Sequence, residues 1–150
     1  MQIKIIDIMP ITTSNIETEN YLRELLQKEG YKLSSKTGLG KLGPDIKAAK
    51  DNEDLYIEII GSAESSLERV NDFYEAFFQT ISRLNNIDCK HCIIAMPESS
   101  RKMLPIRAKI YKVAWERIAK AFPELEIWLV DIENKKYQRT SWMYWLECKK

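Results

Sequence analysis

Asp45 and Glu58 are the residues whose types and spacing could do chemistry. Asp45 follows Gly43-Pro44 at the mouth of a predicted strand, and Glu58 sits inside the run Leu55-Tyr56-Ile57-Glu58-Ile59-Ile60, closed by Gly61. A charge within an apolar strand costs stability unless it is paired, solvated or bound to a cation. Side chains alternate across a strand, so Asp45, Lys47 and Ala49 share one face of the first strand while Tyr56, Glu58 and Ile60 share one face of the second. With an even-numbered turn, opposed residues lie on the same side. A turn at Asp51-Asn52 sets Asp45 against Glu58; one at Asn52-Glu53 sets Asp45 against Ile60 and Glu58 against Lys47. Two adjacent carboxylates repel unless a divalent cation lies between them, and hard oxygen donors favour Mg²⁺, Mn²⁺ or Ca²⁺. A metal site is the sharper reading; a plain Lys47–Glu58 ion pair without metal is the other.

The elements that must position this pair can be read along the chain. Residues 2–9 alternate loosely and predict a short strand ending at Pro10. Ser14-x-x-Glu17 is a capping box, opening a helix to about Glu29 that stops at Gly30, with Ile16, Leu22, Leu25 and Leu26 inward and Arg23, Gln27 and Lys28 in water. Tyr31–Ser35 predicts a strand, and residues 36–43 a loop with three glycines. A helix over about 64–84 follows, its stripe including Val70, Phe73, Tyr74, Phe77, Phe78 and Ile81. The compact run His91–Met96 suits a strand buried on both faces. A helix over about 104–121 is expected to turn Ile106, Ile110, Val113, Ala114, Ile118 and Ala121 inward and a basic row outward. It leads to a strand over Leu125–Asp131, parallel to the preceding one. Tyr137, Trp142, Tyr144 and Trp145 crowd the tail, which suggests docking on the domain or on the same segment of a second chain in a homodimer.

Gly43-Pro44-Asp45, Glu58 and Gly61 together resemble the active-site hairpin of the PD-(D/E)XK nuclease superfamily, the restriction-endonuclease-like fold. In that family Pro-Asp begins one strand and Glu-x-Lys lies in the next. The order of elements over about residues 16–131 agrees, and LRELLQKEGYKL followed by GPDI is similar to the opening of archaeal Holliday-junction resolvases. The resemblance implies an α/β fold with a central mixed β-sheet flanked by helices, and Mg²⁺- or Mn²⁺-dependent hydrolysis of DNA. It implies Asp45 and Glu58 as metal ligands, an acid from the first helix for which Glu24 is the candidate with Glu17 and Glu19 competing, and a glutamine near the site, Gln79. Arg83, one helical turn beyond Gln79, lines the same cleft in this reading. The family's lysine position holds Ile60, which can neither help activate water nor offset charge on phosphorus. Lys47 is the sensible substitute; Lys36 and Lys41 in the loop are more remote. Three functions follow: a DNA endonuclease, a catalytically inactive relative that binds nucleic acid or assembles, and an unrelated α/β interaction module working through its aromatic tail.

Composition narrows these classes. The chain has 150 residues, 45% hydrophobic and 30% charged, enough for a single domain spanning residues 1–150 with a real core. A formal net charge of +1 provides no global field for nucleic acid or an anionic membrane, so DNA contact needs a local patch, for which Lys36, Lys41, Arg101 and Lys102 are the candidates. No apolar run is long enough for a membrane span or a signal peptide, so a cytoplasmic location is expected. Three cysteines argue against a disulfide scaffold, and Cys89-Lys90-His91-Cys92 lacks the further ligands that zinc requires.

Overall fold

A two-residue turn, Asp51-Asn52, joins the acid-bearing strands and sets their register. The computed structural model describes residues 2–35, 43–61 and 66–148. Six strands form one sheet in chain order: β1 (Lys32–Leu33), β2 (Ile46–Lys50), β3 (Glu53–Ile59), β4 (Cys92–Pro97), β5 (Leu125–Asp131) and β6 (Lys136–Ser141). The pairs β3/β4 and β4/β5 are parallel, and the remaining three are antiparallel. Lys50 faces Glu53, Lys47 faces Tyr56 and Ile46 faces Ile57, so extending the register by one pair sets Asp45 opposite Glu58. Asp51 takes φ 53°, the left-handed conformation such turns need and Asp tolerates.

Five α-helices flank the sheet: α1 (Gln2–Lys28), α2 (Ser66–Ser82), α3 (Met103–Ile110), α4 (Lys112–Ala121) and α5 (Tyr144–Glu147). This is an α/β architecture with a mixed sheet, as expected. Strand alternation gives the sheet two apolar layers. Leu22 and Leu26 of α1 pack with Ile46, Ala48, Leu55, Ile57, Ile93 and Trp128 on one face. On the other, Tyr56, Ile60, Ile94, Ile127 and Leu129 meet Phe73, Leu104, Trp115, Trp142 and Trp145. Because β3 from Leu55 onward and β4 are covered on both faces, each reads as an apolar run, and Glu58 is the one buried charge within them.

Helix α1 ends in a reciprocal backbone cap: the Gly30 N–H donates to the Gln27 carbonyl and that of Tyr31 to Leu26, with Gly30 at φ 97°. The strand expected over residues 2–9 is instead the first part of α1, with Pro10 inside the helix. A short apolar run has no decisive period of its own, and continuity with the helix beyond it decides the outcome.

The helix expected over 104–121 breaks at Tyr111 (φ −109°, ψ 40°), and its inward stripe is not the expected one. Leu104, Ala108 and Trp115 are buried, whereas Ile106, Ile110 and Val113 are exposed, as are Tyr74 and Phe78 of α2. Two apolar stripes compete on the same helix. The one carrying Trp115 wins because its indole stacks on Trp142 with centroids 3.9 Å apart, and each ring N–H donates to the other residue's carbonyl, at 2.8 and 3.0 Å. The aromatic tail is therefore docked on its own chain, with Trp142 and Trp145 in the core through β6 and α5. No helix among the described residues is long and apolar enough to cross a membrane.

Ile110→Lys and Val113→Lys are expected to change the unfolding free energy by less than about 0.5 kcal/mol. Trp115→Ala, which opens a cavity against Trp142, should cost about 3–5 kcal/mol. Urea denaturation of the three variants measures both.

Candidate active site

Glu58 points to the α2 face of the sheet between Tyr56 and Ile60, and only 3% of it is exposed. Its partner is Arg83, in the short 3₁₀ turn that continues α2. The Arg83 Nε donates to Glu58 Oε2 at 2.7 Å, and Nη2 lies 2.7 Å from the same oxygen and 3.0 Å from the Gly43 carbonyl. Burial pushes the Glu58 carboxyl up to about 7, against the pull of the Arg83 hydrogen bond and charge, while the field of Asp45 raises it further.

Asp45 is held from the strand side, its Oδ2 accepting the Ile59 N–H at 2.8 Å. Burial raises its pKa first of all; the Ile59 hydrogen bond lowers it, Glu19 raises it, and Arg83 and Arg23 lower it. Arg23, placed by the sequence reading in water, is a clamp. Its Nη1 donates to the Ser34 carbonyl (3.1 Å) and Nη2 to the Asp45 carbonyl (2.7 Å), while Nε bonds Glu19 at 2.8 Å. One helix side chain thereby ties together both ends of the segment between β1 and β2.

A cleft of about 250 Å³ opens beside Asp45, lined among others by Asn15, Ile60, Gly61, Asp72, Glu75 and Gln79. Asp72, Glu75 and Gln79 recur at helical spacing along α2, and Arg83 continues the same row. Asn15 Oδ1 is buried without a hydrogen-bond partner. Asn15 also explains Gly61, because a Cβ there would lie 1.8 Å from that oxygen. The donor chemistry of the cleft suits a hard divalent cation: Asp45, Asp72, Glu75 and an unpartnered amide oxygen line it, and Glu58 stands opposite Asp45 in the strand register without lining it; water and phosphate oxygens would complete the shell, as Mg²⁺ prefers. Among the described residues no group of three His, Cys, Asp or Glu side chains is arranged to hold a metal, so a cation here would rest on fewer of these carboxylates.

The remaining candidates fall in different places. Gln79 lines the cleft with Asp45. Lys47 is exposed, opposite Tyr56 rather than Glu58, with its ammonium 5.5 Å from the Tyr56 ring centroid. Glu24 is exposed, and the α1 acid whose field reaches Asp45 is Glu19, four residues before Arg23 on the same helix face. Arg101 bonds Glu98 (2.5 Å) and Gln138 of β6 (2.5 Å), three strands from Glu58 in the sheet order, and Lys102 beside it is exposed. Lys36 and Lys41 lie outside the described residues. His91 pairs with Glu126 at 2.6 Å in a separate charged cluster with Glu53 and Arg139. Arg83 is the residue whose importance sequence spacing understated: its i, i+4 relation to Gln79 was legible, but not its bond to Glu58.

No family model matches the chain, and no curated protein does. Among solved structures it is similar to an XisH family protein from Nostoc punctiforme. The TM-score is 0.54 at 16% identity, over 81% of this chain and 97% of that one. The likeness carries the fold alone.

A carboxyl whose folded pKa lies above its unfolded value stabilises the protein fully below the unfolded pKa and loses that contribution as pH rises through the folded one. For Glu58 the window runs from 4.5 to about 7. At about 1.4 kcal/mol per pKa unit, the loss is on the order of 3 kcal/mol. Glu58→Gln should therefore gain about 2–3 kcal/mol relative to the wild type between about pH 5 and 7.5 in urea unfolding. Parallel pH profiles of the two proteins would remove Glu58 as the titrating group.

Proposed function

We propose that this chain is a divalent-cation-dependent DNA endonuclease of the PD-(D/E)XK type, hydrolysing phosphodiester bonds. The observation that carries the proposal is the register of β2 on β3, which sets Asp45, a lining residue of an acidic cleft, opposite Glu58, in a fold like that of the XisH family protein. Asp45 and Glu58 would hold Mg²⁺ or Mn²⁺, with the backbone carbonyl beside Glu58 and Asn15 Oδ1 as further donors. A bound cation supplies polarisation of the phosphoryl oxygen and a more acidic water. Gln79 shapes the cleft, and the Ile59 N–H fixes the Asp45 carboxylate so that one oxygen is already spoken for. Lys47, exposed on the Asp45 face, is the proposed source of the charge that Ile60 does not provide, and Glu24 the proposed auxiliary acid of α1. Lys36, Lys41, Arg101 and Lys102 would touch the DNA backbone, where each contact adds salt-dependent affinity without reading sequence. A cytoplasmic location and a homodimer belong to the same proposal.

One observation favours a second reading. Glu58 already has a cation, Arg83, which neutralises it without metal; in this reading the chain binds nucleic acid or assembles without cutting it.

Calorimetric titration with Mn²⁺, followed by incubation with single-stranded, duplex and branched DNA, separates the two. The nuclease reading expects metal binding and cleavage to vanish together in Asp45→Ala, with at least a hundredfold loss of rate. It also expects Ile60→Lys, which places an ammonium two residues from Glu58 on the same face, to raise the cleavage rate about tenfold or more. DNA binding with no cleavage by either the wild type or Ile60→Lys would establish the second reading.

A further inference from the structure

The Arg83 guanidinium sits among the oxygen donors that a hard cation would use. It bonds the Glu58 carboxylate and the Gly43 carbonyl, and its charge is felt by Asp45. A fixed positive charge at that point opposes the entry of a divalent ion in two ways. It takes up Oε2 of Glu58, and it repels the ion at short range in a site largely shut off from water. Yet Arg83 is not sealed in. Its side chain is 19% exposed, against 4% for that of Glu58, and it follows by one turn Gln79, the last of the α2 residues that line the cleft. Guanidinium groups bind phosphate through paired N–H donors as readily as they bind carboxylate, so a DNA phosphate arriving at the cleft offers Arg83 an equivalent partner.

We infer that Arg83 is a resident counter-cation that occupies Glu58 in the free protein and transfers to a substrate phosphate, so that DNA and the divalent cation load cooperatively. The inference rests on the proposed cation site at Asp45 and Glu58 and adds an order to its filling. Exchange of one anionic partner for another keeps Arg83 paired throughout, and Glu58 is released when substrate is present to be cut. By linkage, whatever factor DNA adds to cation affinity, the cation adds to DNA affinity. The same device would keep the free protein from holding a loaded metal centre away from its substrate.

The test is Mn²⁺ binding by calorimetry to the wild type, Arg83→Gln and Arg83→Lys, each with and without a short duplex made uncleavable by phosphorothioate linkages. Without DNA, Arg83→Gln is expected to bind Mn²⁺ on the order of tenfold more tightly than the wild type, because a competing unit charge has gone. Duplex DNA should raise the wild-type affinity by a similar factor and that of Arg83→Gln by no more than about twofold. Arg83→Lys keeps the charge but not the fork that reaches both Glu58 and Gly43, so its affinity should fall between the other two; it serves as the working variant if Arg83→Gln does not fold. Equal or weaker Mn²⁺ binding by both variants, still abolished by Asp45→Ala, would overturn the counter-cation role while leaving the cation site standing. Absence of Mn²⁺ binding in every protein, with and without DNA, would overturn both.

Discussion

A carboxylate embedded in a strand that is buried on both faces is the constraint from which the rest of this structure follows. Glu58 is covered by β4 on its flank and by α2 above, so its charge must be met by the protein itself. Arg83 meets it, and in doing so fixes where α2 must end and where the chain must enter β2, since the same guanidinium also holds the Gly43 carbonyl. A buried pair of this kind gains little over an apolar packing of equal volume. Its presence in the centre of the sheet is therefore better understood as the retention of a polar site than as a source of stability.

The opposite side of the sheet contributes as much to the geometry. Arg23 on α1 ties the carbonyls of Ser34 and Asp45, so the entry to the acid-bearing hairpin is held by α1 at one face and by Arg83 at the other. The Asp45 carboxylate is then oriented by the Ile59 N–H rather than left to rotate. Two arginines from helices on opposite layers thus anchor one short stretch of backbone. Sites whose supporting groups are locked in this way hold their geometry without a ligand, which is what a preorganised centre requires. Two residues beyond Glu58, Ile60 continues the apolar layer, and the positive charge that meets Glu58 comes from the 3₁₀ turn after α2.

The hairpin was largely legible in the sequence. Pro44-Asp45, the polar turn and the apolar run around Glu58 defined two strands and left two registers, and the choice between them was made by Asp51 taking the left-handed conformation of a two-residue turn. The Leu22 and Leu26 stripe and the Gly30 stop were legible for the same reason, that period and C-terminal capping act within one segment; the Ser14-x-x-Glu17 box, by contrast, does not open the helix, because α1 already begins at Gln2. Where two solutions were locally equal, the sequence was silent. Residues 104–121 carry two apolar stripes, and only the meeting of Trp115 with Trp142, 27 residues later, shows which one faces the sheet.

The acids divide in the same way. Alternation along β2 and β3 determined by itself that Asp45 and Glu58 could share a face, because pleat and pairing are short-range properties of the backbone. Which cation neutralises Glu58, and which glutamate of α1 approaches Asp45, were decided by the packing of whole elements. Lys47 was near in sequence but opposes Tyr56, and Glu24 lies on the exposed side of its helix, while Glu19 and Arg83 are brought in by helices that cross the two faces of the sheet. Electrostatic partners are chosen by distance in space, and a sequence specifies that distance only after its apolar faces have been buried.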